Sequence, residues 1–165
     1  MAYCRDVPAP KPPTAQDTAT ARQILLDGVA HDVDVFEILN QLAPLHPRNN
    51  TFPGEVFIPL AADALDWAGV DRAHPVDLAG MRDRFLPECS FHGRDRRKLQ
   101  FAVHAAAAKH GGVDVDLLDE VARWQTDDFW RYAAFAAVGY IRMAAALAGV
   151  PEPEVCRGIA HTPPP

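Results

Sequence analysis

Cysteine and histidine stand close together twice in this sequence, as Cys89 with His92 and as Cys156 with His161. Two thiolates and two imidazoles are the ligands of a tetrahedral zinc site, so these four residues are the metal candidates. The long separation of the two pairs is not that of a zinc finger, and the second pair requires residues beyond a helix end to fold back. Small buried cysteines and surface histidines are the plainer interpretation. We therefore expect no bound zinc and no other cofactor.

The first of these stretches also holds two possible nucleophiles. Ser90, the only serine in the chain, and Cys89 both lie beside His92. Nucleophilic catalysis needs a base within hydrogen-bond reach and a carboxylate that orients it. His104 and Asp127 are the remaining acid–base candidates, but Ser90 lacks a G-x-S-x-G context. The chain also contains no H-E-x-x-H, P-loop or G-x-G-x-x-G motif. A small enzyme is thus an alternative without a catalytic signature.

One basic cluster interrupts an otherwise acidic chain, and its members are Arg94, Arg96, Arg97 and Lys98. These residues begin a predicted helix, where cations oppose the helix macrodipole while the free amide groups favour an anion. The cluster therefore predicts contact with an anion or an acidic partner. The competing interpretation is ion pairing within the chain, with Asp95 or with the pair Asp127 and Asp128.

The longest predicted helix runs from about 127 to 148 and is stopped by Gly149 and Pro151. Plotted at 100° per residue, its apolar arc covers most of the circumference, which is typical of a helix at the centre of a core or at a subunit interface. Tyr140 and Leu147 lie on this arc, and we expect both in the core.

The polar side of this helix carries little besides Asp127, Arg131 and Arg142. Phe135 projects beside these two arginines, on the side where solvent is expected. An aromatic ring in that position needs a cover. We therefore expect the N-terminal arm or a second subunit to cover Phe135. The candidate interface consists of Phe135, Arg131 and Arg142.

The rest of the chain also has helical periodicity and helical stop signals. No strand pattern is clear, and the predicted fold is all-α: a single compact bundle of seven or eight mostly short helices around the long one. The Pro-rich ends, 1–13 and 161–165, are predicted to be a flexible arm and tail, and 14–160 to be one helical domain. Residues 45–57 are predicted to be a long loop. The other predicted helices are 14–27, 34–43, 59–69, 77–86, 95–110, 116–125 and 152–160.

Composition restricts the class of protein more than its activity. The chain has 165 residues, of which 48% are hydrophobic and 23% charged, values typical of a globular domain. Three cysteines are too few for a disulfide scaffold and favour a reducing compartment. No signal peptide and no apolar run of about 20 residues is apparent, so we expect a soluble, cytoplasmic protein without a membrane span.

Without a catalytic signature, the leading interpretation is a non-enzymatic interaction or regulatory module with a protein partner or self-association. A small helical enzyme or ligand-binding protein, with a pocket near the fifth and seventh predicted helices, is the first alternative. A nucleic-acid-binding protein that uses the basic cluster is the second. The net charge of −6 and the acidic outer face predicted for 116–125 argue against it.

Overall fold

The computed structural model describes residues 14–45, 56–71, 78–112 and 128–160, and these ranges contain helices and no strand. The all-α prediction is confirmed. A short 3-10 turn, Ala43–Leu45, follows the second helix. The α-helices of the described ranges are, in order, α1 (Ala15–Ala30), α2 (Val35–Leu42), α3 (Ile58–Trp67), α4 (Leu78–Phe85), α5 (Gly93–His110), α6 (Phe129–Ala148) and α7 (Glu152–Ala160).

The first two helices begin at side chains that bind free backbone amides. The Thr14 hydroxyl accepts a hydrogen bond from the Asp17 amide, and the Asp17 carboxylate accepts one from the Thr14 amide, which makes a capping box. At α2, the Asp34 carboxylate accepts a hydrogen bond from the Phe36 amide at 2.9 Å. Both helices therefore start at the residues that the sequence indicates.

The central position of α6 is also confirmed, since fifteen of its twenty residues are buried. It packs mainly against α3 and α5 and also contacts α4 and α7. Tyr140 is fully buried, and its hydroxyl donates a 2.9 Å hydrogen bond to the Val103 carbonyl of α5. Leu147 is 62% exposed, so its predicted core position is wrong. It lies in the last turn of α6, next to the bend of 110° into α7.

Two glycines allow neighbouring helices to approach closely. A Cβ at Gly28 would lie 2.5 Å from Cγ1 of Ile38, so this glycine joins α1 to α2, and α1 continues past it to Ala30. A Cβ at Gly158 of α7 would lie 2.6 Å from Cδ1 of Trp67 at the end of α3. The first helix, predicted over 14–27, therefore extends three residues further than expected.

Two further boundaries differ from the prediction, and some predicted segments cannot be compared. Val56 and Phe57 are buried and form a π-helical turn that leads into α3, so the loop predicted for 45–57 was drawn two residues too long at this end. Helix α5 begins two residues earlier than predicted, at Gly93, where the backbone has a φ of 59°. The predicted arm and tail, the rest of that loop and the predicted helix 116–125 lie outside the described residues.

Within the described ranges, no single helix has the length and apolar character needed to cross a membrane; α6 and α7 reach these values only together, across their 110° bend.

Candidate interaction site

The site is built around residues 86–92, which connect α4 to α5. Arg142 of α6 holds the start of this connection, because its guanidinium donates hydrogen bonds to the Phe85 carbonyl at 2.9 Å and to the Glu88 carboxylate. The carbonyls at a helix C-terminus have no partner within the helix, and Arg142 supplies one for α4. The prediction that Arg142 lies on a solvent-facing stripe is therefore wrong: the side chain is partly buried against α4.

Three arginines of the predicted basic cluster are exposed on the first turns of α5, namely Arg94, Arg96 and Arg97; we call them the arginine cluster. In the part of the chain that the structure describes, no carboxylate lies within ion-pair distance of any of them. Three cations within residues 94–97 therefore lie at the N-terminal end of one helix without an ion pair among the described residues.

Lys98, the fourth predicted member, does not belong to this surface. It is only 6% exposed, and its ammonium group donates a 3.0 Å hydrogen bond to the Asp128 carboxylate. The same group lies 5.3 Å from the centre of the Tyr132 ring. The competing interpretation, ion pairing within the chain, is thus confirmed for Lys98, while its predicted role as a surface contact is wrong.

Asp95 lies among the arginines in sequence, yet its carboxylate is directed towards α6. It accepts a 2.7 Å hydrogen bond from the Tyr132 hydroxyl. Burial and this hydrogen bond raise the pKa of Tyr132 well above its usual value, so the phenol remains protonated and acts as a donor. The carboxylate nearest in sequence to the arginine cluster is therefore engaged by a tyrosine.

Four aromatic rings meet beside the arginine cluster and form what we call the aromatic groove. Its cavity of about 260 Å³ lies between α2, α5 and α6, with lining residues Phe36, Leu39, Asn40, Phe91, Asp95, Arg131, Tyr132 and Phe135. The Phe135 ring lies 5.6 Å from Phe36 and 5.3 Å from Phe91, centre to centre. Phe135 is only 3% exposed, whereas Phe36 at the rim is 43% exposed.

The cover of Phe135 therefore comes from its own domain. Phe36 of α2 and Phe91 of the connection lie against its ring. The expectation that solvent faces this side of α6 is wrong, because α2 packs there. Contact of Phe135 with the N-terminal arm, which lies outside the described residues, or with a second subunit stays a prediction. Arg131 is exposed, as predicted, and lines the rim of the groove.

A second cavity, the basic pocket, lies on the other side of Phe91. It also measures about 260 Å³, and its lining residues are Arg82, Asp83, Leu86, Pro87, Cys89, Ser90, Phe91, His92 and Arg96. Arg82 is paired with Asp83 at 2.8 Å. Phe91 lines both cavities, so the aromatic groove and the basic pocket are neighbours on one face of the molecule.

The cysteines have the character of buried core residues. Burial, with Glu88 nearby, raises the pKa of the Cys89 thiol to about 12, and burial raises that of Cys156 to about 11. A protonated thiol is a poor nucleophile and a poor metal ligand. The described residues contain no cluster of three or more metal-binding side chains, and His161 lies outside them. The expectation of no zinc stays a prediction.

The catalytic candidates do not come together in the described residues. His92 is exposed at the start of α5, and His104 is exposed further along the same helix. Twelve residues separate them, which corresponds to roughly 18 Å along a helix. Asp127 lies outside the described residues. His92 lines the basic pocket with Arg96, but His104 does not.

The rings that build the groove around Phe135 are not indicated by the sequence; they are Phe36, Phe91 and Tyr132. The buried stripe of α2 includes Val35 and Leu39. Phe36 lies outside that stripe, but a single exposed apolar residue is normal at a protein surface and does not by itself indicate a contact. Nothing in the spacing of the other two rings links them to Phe36.

His110 has a structural role that its position in the sequence does not indicate. It is the last residue of α5, where a histidine is a natural helix cap, and it is buried. Its Nε2 lies 3.0 Å from the Val70 carbonyl, and its Nδ1 lies 3.0 Å from the Asp66 carboxylate without good hydrogen-bond geometry. The residue ties α5 to the end of α3, away from the interaction face.

Comparison with known proteins finds no matching protein-family model, no matching curated protein and no matching solved structure.

Proposed function

We propose that this protein is a non-enzymatic interaction module that binds an acidic segment of a partner protein through the arginine cluster. One observation carries the proposal: Arg94, Arg96 and Arg97 are exposed side by side without an ion pair in the described residues, although the chain has a net charge of −6. Cations at a helix N-terminus each cost about 0.3–1 kcal/mol. Carboxylates of a partner would offset this cost.

The geometry supports binding more than catalysis. The two histidines proposed as acid–base groups lie far apart, His92 just before α5 and His104 within it, and the thiols of Cys89 and Cys156 remain protonated near neutral pH. The basic pocket and the aromatic groove are both small, and they lie side by side at the surface. Such a face suits recognition of a short segment.

A protein segment fits this face better than a nucleic acid does. Nucleic-acid binders present aromatic faces on which bases stack. Here two ring pairs meet edge to face, with interplanar angles of 71° for Phe36 with Phe135 and 73° for Phe91 with Tyr132, and the other two pairs of the groove are tilted by about 60°. The acidic overall charge also disfavours a phosphate backbone.

The experiment is a fluorescence anisotropy titration of a labelled peptide of eight glutamates at 0.1 M salt. We expect saturable binding that weakens about tenfold in the double variant Arg96→Ala, Arg97→Ala, since each exposed pair contributes up to about 1 kcal/mol. Arg157→Ala is the matched control, because Arg157 is an exposed arginine on α7 without an ion pair among the described residues. The control should bind as the wild type does.

Two results contradict the proposal. One is wild-type protein that does not bind the glutamate peptide, or a double variant that binds it unchanged. The other is tighter binding of a labelled oligonucleotide, single- or double-stranded, that is lost in the double variant. Sedimentation equilibrium of the wild type and the double variant tests whether the protein self-associates through this face. A cytoplasmic location remains part of the proposal, and fractionation of the source cells tests it.

A further inference from the structure

We infer that the aromatic groove accepts one large apolar side chain from the same acidic segment that the arginine cluster binds. This inference rests on the proposed function and adds a specificity element to it. The recognised sequence would then be an acidic peptide with one embedded aromatic or long aliphatic residue. Three features of the groove carry the inference: its size, its lining and its position.

The size of the groove fits a single side chain. Its volume of about 260 Å³ is below the roughly 300–1,000 Å³ of pockets for drug-sized ligands. Phe36 stands at its rim with 43% of its surface exposed, and Phe135 forms its floor. A ligand side chain that covers Phe36 would remove apolar surface from water on both partners.

The lining favours a neutral apolar group over a charged one. A cationic side chain would meet Arg131 at the rim and the arginine cluster beside it. A carboxylate would meet Asp95, which already accepts the hydrogen bond from Tyr132. The remaining wall consists of the four aromatic rings, Leu39 and the neutral Asn40. An uncharged side chain avoids both repulsions, and the aromatic wall favours an apolar one.

The position of the groove links it to the arginine cluster. Asp95 lines the groove, and Arg94 and Arg96 flank Asp95 on α5. One turn of helix is about 5.4 Å long, and an extended peptide spans about 3.3 Å per residue. A segment of a few residues therefore reaches from the groove to the arginines. Charge complementarity therefore indicates that the segment with the apolar side chain is acidic.

The test compares two labelled peptides, each with six glutamates around a central residue that is tryptophan in one and alanine in the other. We expect wild-type protein to bind the tryptophan peptide about fivefold or more tightly than the alanine peptide. In Phe36→Ala this preference should fall below about twofold, while the affinity for the alanine peptide stays unchanged. Circular dichroism and the melting temperature report whether the variant folds.

The matched control is Leu147→Ala, which removes the other large exposed hydrophobic residue of the described ranges at the far end of α6. It should keep the full preference. A second variant, Asn40→Trp, places a ring into the groove from an exposed position of α2 and should also abolish the preference. These two variants keep the test decisive if Phe36→Ala folds poorly.

The outcomes separate this inference from the proposed function. If wild type binds both peptides equally, or if Phe36→Ala and Asn40→Trp keep the tryptophan preference, the groove is not the binding site and only this inference fails. A preference lost to the same extent in Leu147→Ala also overturns it. If wild type binds neither peptide, the proposed function fails as well.

Discussion

Replacing Gly158 by alanine tests how α7 docks on α3. An added Cβ would lie 2.6 Å from Cδ1 and 2.9 Å from Cε2 of Trp67, well inside the 3.4 Å at which ordinary contact begins. Both atoms belong to a rigid ring, so the helix or the whole indole must move. Overpacking of this kind costs about 1–3 kcal/mol, and the severe overlap here favours the upper end.

The substitution also brings a gain that opposes this cost. Alanine in a helix interior is more favourable than glycine by about 1 kcal/mol. The expected net effect is a loss of about 2 kcal/mol in the free energy of unfolding. In a Trp67→Leu background the overlap is relieved, and the same Gly158→Ala change should stabilise the protein by up to about 1 kcal/mol. The sign of the effect therefore reverses between the two backgrounds.

Urea unfolding of wild type, both single variants and the double variant measures this reversal as a double-mutant cycle. A coupling free energy near zero between Gly158 and Trp67 would refute the reasoning. So would a Gly158→Ala variant that is more stable than the wild type, because it would mean that Trp67 does not occupy the space above the glycine.

Three more predictions concern buried groups. Tyr140→Ala should lower the free energy of unfolding by about 3–5 kcal/mol, and Leu147→Ala should lower it by less than about 0.5 kcal/mol. Equal losses in a denaturant titration would contradict the burial of Tyr140 and the exposure of Leu147. Asp128→Asn should cost about 1–2 kcal/mol because it removes the charge of one carboxylate that binds the buried Lys98 ammonium group, and Lys98→Met in the same protein should partly restore the loss. The stabilisation from keeping the Cys89 thiol neutral is fully present below its usual pKa of 9.0 and is lost as the pH rises towards about 12, so the free energy of unfolding should fall across that window. Cys89 should also resist iodoacetamide at pH 8 in the native state but react in urea. Rapid alkylation of the native protein would show that the thiol is accessible.

The sequence predicted helices better than it predicted what lies against them. The apolar arc of α6 and its stop at Gly149 follow from local rules, and both are found in the structure. The cover of Phe135 does not, because it depends on α2, which lies about a hundred positions earlier in the chain. Lys98 has the same difficulty, since four cations within five positions indicate a surface, and only the position of Asp128 shows that one of them turns inward.

The same distinction between local and long-range information applies to the candidate site. Arg94, Arg96 and Arg97 are close in sequence, so a single helix brings them together and the sequence indicates them directly. The groove beside them takes rings from three separate segments, and periodicity within a segment carries no information about contacts between segments. Phe36 and Phe91 therefore had no recognisable relation before the fold was known.

The hydrogen bonds of Arg142 link ligand binding to the folding of the whole domain. The interaction face contains α2, the 86–92 connection and the start of α5, and Arg142 on the core helix α6 holds the connection in place. A ligand that needs this assembled face binds only the folded chain. At a hundred times its dissociation constant it would add about 2.7 kcal/mol to stability, a rise visible in a thermal melt. The linkage is reciprocal: any substitution that loosens the hold of Arg142 will weaken binding without touching the ligand.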